Sequence, residues 1–334
     1  MGLQSSGAIS LDDMHVEVGG TSGTTCSLND PDIRALIDVG DSGQQSIQQY
    51  YGKSSETSLP TGGSQINGQV QLKQITASSY ISSGGTLRIP SNMWVWSDSR
   101  TVAALIIDIS CTVVNDGKII GKGGGGGYYP GAGRETGGPA ISVTASGVTI
   151  TNSNGAYIAG GGGGGANGQD GGDPQDNSGG GGGGAGGGAG GKGHSTYNPA
   201  SPGGALNAIG GHAYSSTGIL RSSNGGGAGG ATGGAYAYAG GGGGRILPGV
   251  GGTFFSGTYS SAGAGGSAGN AGNGPVAPGA GSPSTCGGGG GGWGASGGNG
   301  AGPSYPYNIG ATGGAAITGT SRTLSNSGTI YGST

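Results

Sequence analysis

Charge is scarce in this sequence. Only 8% of its 334 residues are charged, with a formal net charge of −3, where an average chain carries roughly 25% charged residues. Disordered chains are usually kept expanded by high net charge, and charge this sparse does not supply that. Large apolar side chains are also few, with two Phe and three Trp, so the chain cannot fill an ordinary oily core along its whole length. The three cysteines, Cys26, Cys111 and Cys286, are odd in number and far apart. That excludes a disulfide framework or a CxxC metal knuckle, and free buried thiols suit a reducing cytoplasm. The opening MGLQSSGAISLDD has no basic region and no apolar core, so no signal peptide is expected. No run approaches the ~18 apolar residues of a membrane span.

Catalytic chemistry is equally thin. After Asp176 there is no Asp or Glu, whereas a glycoside-cleaving spike needs paired carboxylates. Asp98, Asp108, Asp116 and Glu135 are scattered and read as turn or surface residues. His15, His194 and His212 have no metal-spaced partners. Asp170, Asp173 and Asp176 recur at three-residue intervals in GQDGGDPQDN but match no EF-hand or glycine-rich calcium repeat. Beyond Asp176 the charges are Lys192, Arg221, Arg245 and Arg322, too dispersed for a nucleic-acid surface. The expectation is a non-enzyme with no catalytic residues, no cofactor, no metal and no nucleic-acid partner.

What the chain has instead is glycine: 93 residues, 77 of them within 121–320. Pure runs occupy 123–127, 160–165, 179–184, 240–244 and 287–292. Collagen is excluded, because it needs glycine at every third position and abundant proline. GxGxxG matches carry no weight at this composition, and Gly52-Lys53-Ser54 has Ile47 where a P-loop needs its first glycine. A flexible linker competes with a bundle of extended polyglycine II helices. In the bundle, backbones without Cβ atoms approach closely and satisfy each other's polar groups. The bundle is favoured, because aromatic residues are spaced through the region and the chain returns to a strand motif.

Composition divides the chain further. Residues 1–53 read as short helices: Ser10 and Asp13 resemble a capping box, Pro31 opens a second helix, and Ser46 precedes a third turn. Such an acidic module is thin enough to need a docking surface. Residues 54–75 suit a linker, and 76–120 form a platform of β-branched and aromatic runs. Three related phrases follow: CTVVNDGKIIG (111–121), VTITNSNGAYIAG (148–160) and RTLSNSGTIYG (322–332). They align Thr112/Thr149/Thr323, Asn115/Asn152/Asn326 and Gly117/Gly155/Gly328, the middle copy carrying one extra residue. Each reads as a strand, a tight Asn/Gly turn and a second strand, as in a hairpin. The last copy, in the closing strands 321–334, implies that the chain returns from the glycine region to pair with the platform. The expected fold class is thus mainly β and irregular: a small N-terminal helical module, a short β-strand platform and a glycine-rich bundle of polyglycine II helices.

Glycine runs alternating with aromatic segments and closing on a terminal strand resemble the tail-fibre tip adhesins of T-even-type phages. The likeness covers roughly 121–332. It implies that the runs are a scaffold and that the intervening loops contact a bacterial surface receptor, an outer-membrane protein or lipopolysaccharide. The loops offer Tyr197, Tyr214, Tyr236, Tyr238, Phe254, Phe255, Tyr259, Trp293, Tyr305 and Tyr307, set among Ser, Asn and Gly as antibody loops are. The phrases SSGAISLDDMHVEVGG and NDPDIRALI look like the module that opens many phage tail proteins. They imply that 1–53 attaches to other tail proteins of the virion, in a protein made in the host cytoplasm. A homotrimer and a single capping chain both stay open, as does a purely structural role in a collar, baseplate or head fibre.

Overall fold

The computed structural model describes residues 3–37, 39, 43–53, 55–60, 65–66, 69–127, 134–167, 182–189, 191, 266–272, 287–300 and 309–334. The N-terminal part contains α1 (Leu11–Glu17) and α2 (Pro31–Ala35), then a single 3₁₀ turn, Ile47–Tyr50. Ser10 caps α1 reciprocally: its Oγ accepts from Asp13 N at 3.0 Å, and its N donates to Asp13 Oδ2 at 2.7 Å. These elements enclose a cluster of their own, built on Leu3, Met14, Ile33, Leu36, Ile37 and Tyr50. Buried Arg34 has its charge matched by acceptors, donating to Gly43 O at 2.7 Å and Asn29 Oδ1 at 3.2 Å, without which its burial would be costly.

The rest of the regular structure is a coil of successive turns. The first turn holds β1 (Glu56–Ser58), β2 (Gln65–Ile66), β3 (Gln69–Lys73) and β4 (Ile75–Thr76). The second holds β5 (Thr86–Ile89), β6 (Met93–Trp96) and β7 (Leu105–Ile107). The third holds β8 (Thr112–Asn115), β9 (Lys118–Ile120) and β10 (Ile141–Val143). The fourth holds β11 (Val148–Asn152), β12 (Tyr157–Ala159) and β13 (Ile317–Thr318), and β14 (Arg322–Asn326) and β15 (Thr329–Tyr331) begin a fifth. Strands stack by turn into three sheets, β1-β5-β8-β11-β14, β2-β3-β6-β9-β12-β15 and β4-β7-β10-β13. The β2–β3 pair is antiparallel; the other pairings are parallel. Parallel strands need a long crossover between them, and here the crossover is the remainder of each turn.

Alternation along each strand sends one set of side chains inward. Leu87, Ile89, Val113 and Ile150 from the first sheet meet Met93, Val95, Ile119 and Ile158 from the second and Leu105, Ile107, Ile141 and Ile317 from the third. Each such side chain contributes about 1.5–3 kcal/mol on burial.

This architecture corrects the expected fold class. The regular structure is three mainly parallel sheets, starting at β1 inside the stretch read as a linker. Among the described residues no glycine run forms a helical element, so the polyglycine II bundle is not what organises the fold. The physical reason is that β-branched inward residues, recurring once per turn, bury one shared core while every strand pairs with the turn before it. The repeated phrases are also not hairpins, because β8 and β9 belong to different sheets. Their Asn and Gly residues turn the chain around a corner. The three copies do stack in register, Thr112 with Thr149 with Thr323 and Asn115 with Asn152 with Asn326. Lys118, Tyr157 and Thr329 are also in register, so Ala156 is the counterpart of Gly117 and Gly328. The middle copy therefore carries two extra residues at this corner and not one, Asn154 and Gly155, the latter at φ +81°. Gly117 is required by contact, since a Cβ there would lie 2.4 Å from Pro90 O.

Candidate functional site

The two longest departures from the coil leave at one corner, between the second and third sheets. That corner is Gln74 alone in the first turn, 97–104 in the second, 121–140 in the third and 160–316 in the fourth. The two longest departures hold the glycine runs.

Their described parts bond to one another through the backbone. Gly124 N donates to Gly162 O at 2.8 Å, Gly162 N to Ala185 O at 2.8 Å, and Ala185 N to Gly291 O at 2.9 Å. Spacing is so close that a Cβ on Gly161 would lie 1.9 Å from Lys122 O. Charged side chains tie these segments to the coil. Glu135 accepts from Arg100 Nη2 at 2.8 Å and from Gly125 N at 3.1 Å, and Lys122 Nζ donates to Gly187 O at 2.6 Å. Read from sequence as a turn or surface group, Glu135 instead bridges the corners of two successive turns.

Trp293 is buried, at 5% exposure. Its ring lies 5.6 Å from that of Tyr331, 6.0 Å from Tyr157 and 6.4 Å from Trp94. It therefore seats the segment 287–300 on the outer face of the second sheet. Lys118 Nζ sits 4.8 Å from the Trp94 ring centroid and 5.8 Å from that of Tyr157, and burial lowers its pKa. Sequence reasoning did not single out Trp94, Lys118 and Tyr157 as a group. Their signal was their shared place in the repeat, one residue beside another across β6, β9 and β12.

Of the ten aromatic residues expected to contact a receptor, Trp293 alone is described. Tyr197, Tyr214, Tyr236, Tyr238, Phe254, Phe255, Tyr259, Tyr305 and Tyr307 lie outside the described residues. Elsewhere, Arg88 bonds both Glu56 and Asp116, clasping three successive turns, and these partners raise its pKa. Lys73, 2.8 Å from Asp98, holds that carboxyl below the usual range. Among the described residues no group of three or more His, Cys, Asp or Glu could hold a metal ion. What this arrangement does physically is fix a long insertion at both ends to a rigid mount.

Residues 64–224 match the family described as phage tail fibre adhesin Gp38. Over that segment, just under half of its length, the chain is similar to phage tail fibre adhesins. The matched residues run from the first turn of the coil through the third-turn departure and into the fourth. A solved structure, the gp37-gp38 adhesin tip complex of the bacteriophage S16 long tail fiber, is similar at 17% identity, covering 98% of this chain and 99% of that chain, with a TM-score of 0.35. No curated protein matches. The fold of this chain accordingly rests on its own strand pairings.

Proposed function

We propose that this chain is a phage tail fibre adhesin that recognises a receptor on the bacterial surface, an outer-membrane protein or lipopolysaccharide, by non-enzymatic binding through the 160–316 insertion. The observation that carries this reading is the single corner from which the insertion leaves and to which it returns. A long insertion rich in Tyr, Phe, Ser and Asn gains little specificity if its ends move independently, because ordering it on contact costs conformational entropy. Mounted at both ends, its aromatic residues act as preorganised anchors among adaptable polar groups. Tyr197, Tyr214, Tyr236, Tyr238, Phe254, Phe255, Tyr259, Tyr305 and Tyr307 are the proposed contacts, and buried Trp293 helps to seat the insertion on the second sheet.

The N-terminal part is the proposed attachment to other tail proteins. Val16 and Ile47, 46% and 40% exposed on it, are apolar residues suited to a partner. Free thiols at Cys26 and Cys111 agree with assembly in the host cytoplasm.

The test is binding of the labelled full chain to a panel of intact Gram-negative cells. Saturable binding to some strains, lost on deletion of 190–310 and weakened by the Phe254→Ala/Phe255→Ala pair, is expected. A folded protein that binds no strain infected by its phage would sink the reading in favour of a structural virion role.

A further inference from the structure

The last turn places an arginine where earlier turns bury apolar residues. Arg322 is in register with Val148, which is 1% exposed. The Arg322 stem covers the end of that core column, as long cationic side chains do. Beside it lies a groove of about 350 Å³ lined by Gly147, Val148, Thr149, Ser321, Arg322 and Thr323. Arg322 Nε is buried and has no acceptor, an uncommon condition for a buried donor. Among the described residues no carboxylate pairs with it, and β14 is the outermost strand of its sheet. The groove thus offers one guanidinium and three hydroxyl side chains, with no lining residue of opposite charge.

We infer that this groove is an anion site for a phosphorylated sugar. Guanidinium groups bind phosphate through paired charge-assisted hydrogen bonds. The hydroxyls of Thr149, Ser321 and Thr323 suit the polar edge of a sugar, and the volume exceeds what a bare phosphate fills. None of its lining residues is among the aromatic residues proposed for receptor contact. Only the suggestion that the ligand belongs to a surface glycan rests on the adhesin reading.

Calorimetric titration of the full chain with inorganic phosphate and with glucose 1-phosphate tests the inference without cells. The sugar phosphate binds several-fold more tightly than inorganic phosphate, and Arg322→Gln weakens it at least about tenfold while Arg322→Lys keeps part of the affinity. Thr323→Val, at an exposed strand position, weakens the sugar phosphate more than inorganic phosphate and serves if the arginine variants do not fold. Failure of both ligands to titrate overturns the site, as does equal binding by wild type, Arg322→Gln and Thr323→Val. Equal affinity for the two ligands overturns the sugar assignment. Failure of cell binding alone leaves this site standing.

Discussion

Asn152 donates its side-chain amide to Asn326 Oδ1 at 2.8 Å, joining residues 174 apart in the chain. The same Asn152 accepts from Asn115 Nδ2 at 2.8 Å. The three amides form a ladder that runs across three turns and spans the entire glycine-rich insertion. Asn152 is buried between the other two, while Asn326 is exposed at the ladder's end.

Asn152→Ala should therefore destabilise the coil by about 2–3 kcal/mol, because it removes the bonds to Asn115, Asn326 and Thr329 O and leaves the buried Asn115 amide with Tyr157 O as its one remaining acceptor. Asn326→Ala removes one bond at an exposed end, and its cost is under about 1 kcal/mol. Urea denaturation of both variants checks the order. Equal losses would mean that the ladder does not transmit between turns.

Two glycines separate steric need from conformational need. At Gly155 nothing lies within 4 Å of an added Cβ, so Gly155→Ala costs only the strain of its positive φ, about 1 kcal/mol. At Gly161 the added Cβ meets the Lys122 carbonyl oxygen at 1.9 Å, and backbone on both sides cannot yield. Gly161→Ala should cost more than about 3 kcal/mol or release the segment. Limited proteolysis after 160 then accelerates in Gly161→Ala and not in Gly155→Ala.

Trp293→Ala removes the ring that Trp94, Tyr157 and Tyr331 surround. A loss of about 3–5 kcal/mol is expected for a buried tryptophan, with collapse of the near-ultraviolet circular dichroism bands of the aromatic cluster. Trp293→Phe should retain part of both. An unchanged near-ultraviolet spectrum in Trp293→Ala would show that the segment 287–300 is seated by something else.

Local signals were the legible ones. Ser10 and Asp13 form the expected cap because a capping box is complete within four residues. The Thr/Asn/Gly repeat was readable too, and its last copy does return to pair. What the repeat did not reveal was the pairing partner. An Asn-Gly hairpin and an Asn-Gly corner use the same residue types, and only the distant strand beside each one distinguishes them. Residues 56–58 and 69–73 read as a linker because Thr57, Ser58 and Lys73 are exposed while Val70, together with Leu59 just beyond β1, carries the buried signal. Trp293 was legible as an aromatic residue among glycines. Its burial depends on Trp94 and Tyr157, which lie far back in the chain and become neighbours through the strand register.

Cys111 supplies a pH test. Burial pushes its thiol up to about 11, against about 8.5 for a free cysteine. The folded state therefore holds the proton more tightly than the unfolded one. The stability this contributes is full below about pH 8.5 and is lost as pH rises through about 11. At pH 8, iodoacetamide should label Cys111 only after denaturation, read by mass spectrometry of its peptide. Rapid labelling in the native protein would contradict its burial.

The corner between the second and third sheets has a consequence for how such a protein diversifies. One turn spans it with Gln74 alone and another with 160–316, yet β12, β13 and β14 keep their places in the stack. Insertions, deletions or wholesale exchange of that stretch leave the residue pairing of the turns on either side unaltered. Segments of unequal length can thereby replace one another at this corner without any change to the Asn corners or the inward apolar positions of the coil.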